Sequence, residues 1–209
     1  YFSVSERSRF FPKVIKSRGG RAGIDFTTLK LNKFAIDLDY TSAYKNYDEP
    51  RKKDTYIIDP AEFEFQFEFD SDNRKKIQYS LDLAHKYSVN ENFNENKRDF
   101  DFGLGIKIRA NNKLNFDYRL QNSIQNDDVG QIFKENNIVY FGVRNVKALE
   151  NNMALNYNFD SYRSINVKLR QFWSSADYSS LFYALESNGN RKLSNKTIED
   201  YDPNTNFNL

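Results

Sequence analysis

The chain of 209 residues carries 31 basic and 29 acidic residues, so its formal net charge is only +2. This balance argues against a nucleic-acid partner, which needs a concentrated basic surface, and the lack of cysteine excludes disulfides and thiolate metal sites. Aromatic residues make up 16% of the chain although its mean hydropathy is −0.81. That combination argues against disorder and favours strands with one apolar and one polar face.

Ten segments are predicted to be β-strands. The clearest one, Ala61 to Phe69, places Phe at every second position from Phe63 onward, with Glu or Gln between them. Because alternate side chains of a strand point to opposite faces, its four Phe share one face. The facing of residues 137–149 and 177–186 is ambiguous. In chain order, the predicted strands span residues 21–29, 33–44, 61–69, 76–87, 99–109, 114–120, 137–149, 153–159, 165–170 and 177–186.

The links between these segments alternate between short and long. Short, turn-forming links are predicted at residues 30–33, 70–74, 110–113 and 149–152, and long polar links at 46–60, 88–97 and 122–136. This alternation is typical of an outer-membrane barrel, with short turns on one side and longer loops on the other. The short link 160–164 falls where a long one is expected and breaks the pattern once.

The predicted fold is all-β, an antiparallel up-and-down transmembrane β-barrel of about ten visible strands that form part of a larger barrel. Strands of about 10–13 residues exceed the usual length in soluble sheets and suit a tilted membrane crossing, and tyrosines gather near strand ends as an interfacial girdle would. A soluble β-sandwich is the alternative. The predicted lipid-facing residues include Phe63, Phe65, Phe67, Phe69, Phe100, Phe102, Leu104, Ile106, Leu155 and Tyr157.

This fold divides the chain into three parts. Residues 1–20 are predicted to be a leader or loop into the barrel, residues 21–187 to supply its strands, and residues 188–209 to form a polar loop toward closing strands that are missing from the chain. No run of about 18 apolar residues is present, so no transmembrane helix is predicted.

The polar face is predicted to carry charge unevenly around a lumen. The two sides would create a transverse field that orients polar solutes, or cross-strand ion pairs would simply hold the barrel together. The acidic wall comprises Asp37, Asp39, Glu62, Glu64, Glu68, Asp82, Asp99 and Asp101. The basic wall comprises Lys107, Arg109, Arg119, Arg144, Lys168 and Arg170.

No catalytic residue, metal site or cofactor is predicted from the residues. The spacing of Glu62, Glu64 and Glu68 permits glycosidase carboxylates, but any alternating strand offers such spacing. His85, the single histidine, falls on the apolar face and cannot form a relay with Ser80 and Asp82 of its own strand. The stretch from Asp70 to Asn73 and the pair Asp127 and Asp128 lack a full calcium ligand set and are better explained by turn and loop chemistry.

The stretch from residue 126 to 209 resembles the C-terminal region of an uncharacterised Bacteroidota family, whose members join an N-terminal domain similar to carbohydrate-binding module family 9 to a membrane β-barrel. The segments that carry the resemblance are residues 126–130, 138–147, 151–159, 169–174 and 185–189. The most specific is Arg170-Gln171-Phe172-Trp173-Ser174, in which Phe172 stands where Tyr is usual. The resemblance implies a bacterial outer-membrane location and, more loosely, a link to glycans, and it supplies no catalytic residue.

The expected function is therefore that of a non-enzymatic outer-membrane barrel, either a conduit for polar solutes or a component of an envelope complex. The alternative is a glycan-binding or glycan-processing protein whose carbohydrate-binding module lies outside this chain, and a hydrolase that uses lumen carboxylates is a third hypothesis. The expected partners are outer-membrane lipid and, less directly, polysaccharide or other outer-membrane proteins.

Overall fold

The computed structural model describes residues 1–9, 14–90 and 95–200, and it is built almost entirely from antiparallel strands. Ten of them form one sheet in the order β1-β2-β3-β6-β7-β8-β9-β10-β11-β12, while β4 and β5 pair only with each other. The strands are β1 (Phe2–Arg9), β2 (Val14–Thr27), β3 (Lys33–Thr41), β4 (Tyr44–Asn46), β5 (Ile57–Asp59), β6 (Glu62–Asp70), β7 (Ile77–Asn90), β8 (Glu95–Arg109), β9 (Leu114–Glu135), β10 (Ile138–Asn158), β11 (Ser164–Leu185) and β12 (Arg191–Thr197).

The prediction of an all-β, antiparallel architecture is confirmed at this level. Every neighbouring pair of the ten-stranded sheet is antiparallel, and a 3₁₀ turn, Ile198–Asp200, follows β12. The sheet is open, with β1 and β12 at its two edges. No helix in the part of the chain that the structure describes is long and apolar enough to cross a membrane.

Three predicted boundaries in the second half of the chain are wrong, because β9, β10 and β11 are 21 or 22 residues long. Residues 122–136, predicted as a long polar loop, lie almost wholly in β9, and residues 149–152, predicted as a turn, lie within β10. Residues 165–170 and 177–185 belong to one strand, β11. The backbone pairs through all these stretches, as Asn122 opposite Leu149 illustrates.

The chain reverses between β9 and β10 at a much tighter turn than the sequence suggested. Asn136 and Asn137 have φ angles of 47° and 67°. A two-residue hairpin with two positive φ angles is the type I′ turn, and asparagine tolerates that conformation better than most residues. The pair of asparagines therefore ends β9, and the polar residues before it remain in the strand.

The two ends of the chain also depart from the prediction. Residues 1–20, expected to be a leader or loop, contribute β1 and the first part of β2, which pair with each other. Within residues 188–209, expected to be a polar loop, Arg191–Thr197 forms β12 and pairs with β11. Residues 10–13, 91–94 and 201–209 lie outside the described residues. The sheet thus matches the expected ten strands in number, although four predicted strands merge into two and two others are new.

With the strand bounds that the structure shows, the links at one end of the sheet, here named the turn end, are uniformly short. Its four links, residues 28–32, 71–76, 110–113 and 159–163, are all four to six residues long. The link after β10 is therefore no exception to the pattern. At the opposite end, here named the hairpin end, the one long link among the described residues is 42–61, which contains β4 and β5.

One face of the sheet, here named the apolar face, carries large side chains in rows that run across the strands. Phe26 lies opposite Phe34, which lies opposite Phe69, and their ring centroids are 4.9 and 5.0 Å apart. The next strands continue with Leu81, Leu104 and Leu120 in one row. Cross-strand aromatic pairs of this kind contribute about 0.5–1.5 kcal/mol each beyond their burial.

The most deeply buried side chains lie at the hairpin end, where β9, β10 and β11 extend past the shorter strands. One cluster contains Ile57, Val139 and Phe141, and the other contains Phe133, Tyr140 and Phe182. Because the adjacent residues Tyr140 and Phe141 point to opposite sides of β10, the two clusters cover opposite faces of this extension. Ile57 belongs to β5, so the β4–β5 hairpin packs on one of these faces.

Candidate functional site: the polar face

The face opposite the apolar face, here named the polar face, collects charged side chains from all the central strands. The register places Asp39 opposite Glu64, Glu64 opposite Lys86, and Lys86 opposite Asp99. All eight residues of the predicted acidic wall lie on this face, because they occupy the positions that alternate with the Phe, Leu and Ile rows.

The polar face is the concave one. A cavity of about 820 Å³ is lined by Lys33 of β3, Asp70 of β6 and Arg170 of β11, although five strands separate β3 from β11 in the sheet. A second cavity of about 460 Å³ is lined by Glu68, Asp101, Arg119 and others on the same face. Strands so far apart can line one cavity only if the sheet curls with its polar side inward.

All ten predicted lipid-facing residues lie together on the opposite, convex face. Phe65 pairs with His85, and His85 pairs with Phe100, so these residues belong to one continuous surface. Phe63 is 61% exposed, more than any other large hydrophobic side chain of β6. The opposite faces of the sheet therefore differ sharply in polarity, as the alternation in the sequence predicted.

The acidic and basic walls do not form as surfaces of single sign. Basic side chains stand among the acidic ones, and Asp117, Asp128 and Glu150 stand among the basic ones. The resulting ion pairs include Arg21–Asp37 (3.1 Å), Lys86–Glu64 (3.6 Å), Lys97–Asp128 (3.0 Å), Lys107–Asp117 (3.4 Å), Arg119–Asp82 (2.9 Å), Arg144–Asp128 (2.9 Å) and Arg170–Glu150 (2.8 Å).

These ion pairs weaken any transverse field across the polar face, because opposite charges lie within a few ångströms of each other. The exposed pairs contribute about 0–1 kcal/mol each to stability, so their main effect is to hold side chains in a fixed pattern. The predicted wall residues Arg109 and Lys168 lie on the same face, opposite Asn115 and Ala154. Cross-strand ion pairs were the alternative expected from the sequence, but the sequence could not predict which charges pair, because the partner of each charge is set by strand register.

The segment Arg170 to Ser174, which is the most specific part of the family resemblance, places its side chains alternately on the two faces of β11. Arg170 makes two hydrogen bonds to the Glu150 carboxylate, at 2.9 and 2.8 Å, and its guanidinium lies 5.7 Å from the centre of the Phe172 ring. Phe172 itself lines the 460 Å³ cavity. Gln171 and Trp173 point to the apolar face, where Trp173 lies opposite Leu149, and Ser174 returns to the polar face.

The residues weighed for hydrolysis and metal binding have other partners. Glu64 accepts a hydrogen bond of 2.7 Å from Gln66 and pairs with Lys86. His85 is exposed on the apolar face, with Nδ1 3.1 Å from the carbonyl oxygen of Asp99. Within residues 1–9, 14–90 and 95–200, no group of three or more carboxylate or histidine side chains is arranged to hold a metal ion.

The turn that includes Asp70 and Asn73 is organised by an ion pair. The Asp72 carboxylate is buried and accepts hydrogen bonds from the Arg74 guanidinium at 3.0 and 2.9 Å and from the Arg74 backbone N–H at 3.0 Å. The Arg74 side chain and backbone lower the pKa of Asp72 to about 2. Asp72 is therefore engaged in contacts within the turn, which it stabilises.

The β4–β5 hairpin crosses the hairpin end of the concave face. It starts between β3 and β6, yet the Ile58 backbone N–H donates to the carbonyl oxygen of Gly189 (3.0 Å) and Lys52 donates to that of Asn137 (2.7 Å). These acceptors lie in the links after β11 and β9. In the sequence, the only indication of this hairpin was the apolar pair Ile57 and Ile58 within an otherwise polar link.

Comparison with known proteins identifies the family. No curated protein and no solved structure matches the chain. The model of one family, described as a domain of unknown function (DUF5916), matches residues 1–209. Because the match covers the whole chain, the protein belongs to the DUF5916 family.

Proposed function

We propose that this chain is a membrane-embedded portion of an outer-membrane β-barrel, with the apolar face toward lipid and the polar face toward the lumen. The observation that carries the proposal is the continuous, exposed apolar face. It includes Ile24, Leu38 and Phe63, each more than half exposed. An exposed apolar patch larger than a few hundred Å² marks an interaction surface, and hydrocarbon is the partner that needs no shape complementarity.

The dimensions of the sheet support a lipid partner. Among the strands that have a neighbour on both sides, the shortest are β3 and β6 with nine residues each, which corresponds to about 30 Å along the strand. At a tilt of about 35–45° they span roughly 21–25 Å, close to the apolar band of an outer-membrane barrel. Tyr40, Phe63 and Tyr87 lie in one row at the hairpin end of these strands, as an interfacial girdle requires.

The two open edges of the sheet, β1 and β12, require further strand partners if the sheet lies in a membrane. Backbone N–H and C=O groups that face hydrocarbon without a partner cost several kcal/mol each, so an open sheet edge is not stable in a bilayer. Under this proposal, β1 and β12 pair with further strands that complete the barrel. The curl of the polar face brings β3 and β11 to one cavity and supports such closure.

The role of the barrel follows from its polar face. The two cavities of about 820 and 460 Å³, with charged and amide side chains on their walls, favour passage or binding of polar solutes over apolar ones. We propose a non-enzymatic conduit for polar solutes or a component of an envelope complex. Single-channel conductance in planar bilayers distinguishes the two, since only a conduit gives discrete openings.

Heat-modifiability tests the proposal. The full-length protein is exported to the outer membrane, extracted with detergent, and run on a gel with and without boiling. A folded barrel requires detergent and shifts its mobility on boiling. A protein that stays soluble without detergent and shows no shift would contradict the proposal and would indicate a soluble β-sheet protein.

A matched pair of variants on β6 sharpens the test. Phe67 and Gln66 are adjacent and lie on opposite faces. A lysine on the lipid face near the bilayer midplane costs about 2–4 kcal/mol, so we expect Phe67→Lys to reduce the folded gel band strongly and Gln66→Lys to leave it unchanged. Equal effects of the two substitutions would show that lipid does not distinguish the faces.

A further inference from the structure

A third cavity, of about 200 Å³, lies beneath the β4–β5 hairpin at the hairpin end. Its walls come from the hairpin, from the ends of β6, β7 and β8, and from β9 and β12. At about 30 Å³ per water molecule, this volume holds about six or seven water-sized groups. A molecule the size of a single sugar ring therefore fits the cavity. This third cavity is distinct from the two larger cavities of the polar face.

Carboxylates dominate the charge of this cavity. Five acidic and two basic residues line it: Glu49, Asp59, Glu62, Asp127, Asp128, Lys97 and Arg191. Asp128 is held by Lys97 and Arg144 at 3.0 and 2.9 Å, so its charge is balanced by basic side chains. The cavity is therefore left with an excess of acidic groups on its walls.

Two of these carboxylates have no close ion pair among the described residues, although the charges of Lys97 and Arg191 act on Asp59 and that of Lys97 acts on Glu62. Asp59 accepts a hydrogen bond of 2.9 Å from the Asn46 amide and another from the Tyr44 hydroxyl, and burial raises its pKa. Glu62 lies 3.9 Å from the Lys86 ammonium, at the limit of an ion pair. Both residues are half-buried, and a charge-assisted donor binds a carboxylate about twice as strongly as a neutral one, so both groups favour a cation beside them.

A second observation points to a ligand independently of the charge. Ser88 lines the cavity and is only 3% exposed, yet its Oγ has no hydrogen-bond partner among the residues that the structure describes. A buried hydroxyl without a partner costs about 1–3 kcal/mol. Its position on the cavity wall allows a bound molecule to supply the missing hydrogen bond.

We propose that this cavity binds a small hydroxylated amine, with its ammonium group between Asp59 and Glu62 and a hydroxyl on Ser88. An amine supplies a positively charged N–H donor closer to the two carboxylates than the Lys86 ammonium, which lies 3.9 Å from Glu62, and a hydroxyl can both donate to and accept from the serine. Hydroxyls also suit the Tyr44 and Asn46 side chains on the same wall. The site is built by the hairpin and the adjoining strand ends, so it does not depend on how the barrel closes.

Binding is tested by calorimetric titration of the folded full chain with three probes of similar size and different charge: glucosamine, glucose and glucuronate. We expect glucosamine to bind at least tenfold more tightly than glucose and glucuronate not to bind. Equal affinities for glucosamine and glucose, or tighter binding of glucuronate, would overturn the proposal. Heat-modifiability of the same sample reports on the barrel separately, so the two proposals can fail independently.

Variants locate the site. Glu62→Gln should weaken glucosamine binding about tenfold or more, because a charge-assisted hydrogen bond becomes a neutral one. Glu68→Gln is the control, since Glu68 lies on the same strand and face but lines other cavities, and it should leave the affinity unchanged. Similar losses from both variants would indicate general attraction to an acidic surface and would overturn the proposal.

Ser88→Ala gives a readout that does not depend on charge. Since the Oγ has no hydrogen-bond partner in the described part of the chain, its removal should leave the Tm unchanged or slightly raised while it weakens glucosamine binding several-fold. Unchanged binding in a folded Ser88→Ala protein would exclude the serine from the site and contradict the proposed orientation.

Discussion

Replacement of Ile57 by alanine should release the β4–β5 hairpin while the ten-stranded sheet stays intact. Ile57 is 2% exposed and packs in one cluster with Val139 and Phe141. Removal of a fully buried isoleucine side chain to alanine costs about 2–5 kcal/mol. The hairpin has two strands of only three residues, and an isolated hairpin is marginal at best, so it has little stability of its own to absorb this loss.

Hydrogen exchange at the Ile58 amide measures the release, since this N–H donates to the Gly189 carbonyl only while the hairpin is docked. A loss of about 2–3 kcal/mol in docking free energy raises the open population about 30- to 150-fold. The exchange rate of the peptide covering residues 57–59 should rise by that factor, and amides in the centre of β9 and β10 should not change.

Ile58→Ala is the control for this prediction. Ile58 is 37% exposed and adjoins Ile57 in the same short strand, so its truncation should raise exchange only a few-fold. If Ile57→Ala leaves exchange of residues 57–59 at the wild-type rate, or if both variants raise it equally, the buried apolar contact is not what holds the hairpin down.

Two further predictions test the sheet and the turn end. Gly19→Ala should lower the free energy of unfolding by about 1–3 kcal/mol, because a Cβ there would lie 2.7 Å from the backbone carbonyl oxygen of Tyr40. Gly20→Ala is the control and should be nearly neutral in the same thermal melt, because its Cβ would meet nothing closer than 3.8 Å. Equal Tm values for the two variants would contradict the close approach at Gly19. Asp72 has a folded pKa lowered from 3.8 to about 2, so it stabilises the fold above pH 3.8, and this contribution is lost as the pH falls toward 2. Tm measured against pH should therefore decline over this range in the wild type and decline less in Asp72→Asn, and parallel curves would show that the Arg74 contact does not contribute.

The strictly alternating segments were sufficient to predict β3, β6, β7 and β8, although not β1. Residues 61–69 and 99–109 have period two without interruption, and the structure places them in β6 and β8 with Phe on one face and charge on the other. A one-residue shift would move every Phe to the polar side, so such patterns constrain both the element and its facing. The turn-end links are short and polar for the same local reason.

Pattern alone was insufficient where strands become polar on both faces. Residues 122–136 contain Asn, Gln or Asp at seven of fifteen positions, a composition typical of a loop, yet all but the last of them belong to β9 because β10 satisfies their backbone hydrogen bonds. Composition reports side-chain preference, whereas strand pairing is decided by a partner far along the chain.

The sequence by itself determined the all-β, antiparallel class, the two faces and the side of the sheet on which each charge lies, because these depend on period-two alternation within single strands. Only the tertiary structure decided which charges neutralise one another, that the polar face is concave, and that the hairpin of residues 44–59 closes over a third cavity. Each of these depends on register and curvature that bring together residues from separate strands, as Lys97 and Asp128 are brought to 3.0 Å, and no local pattern encodes such a distance.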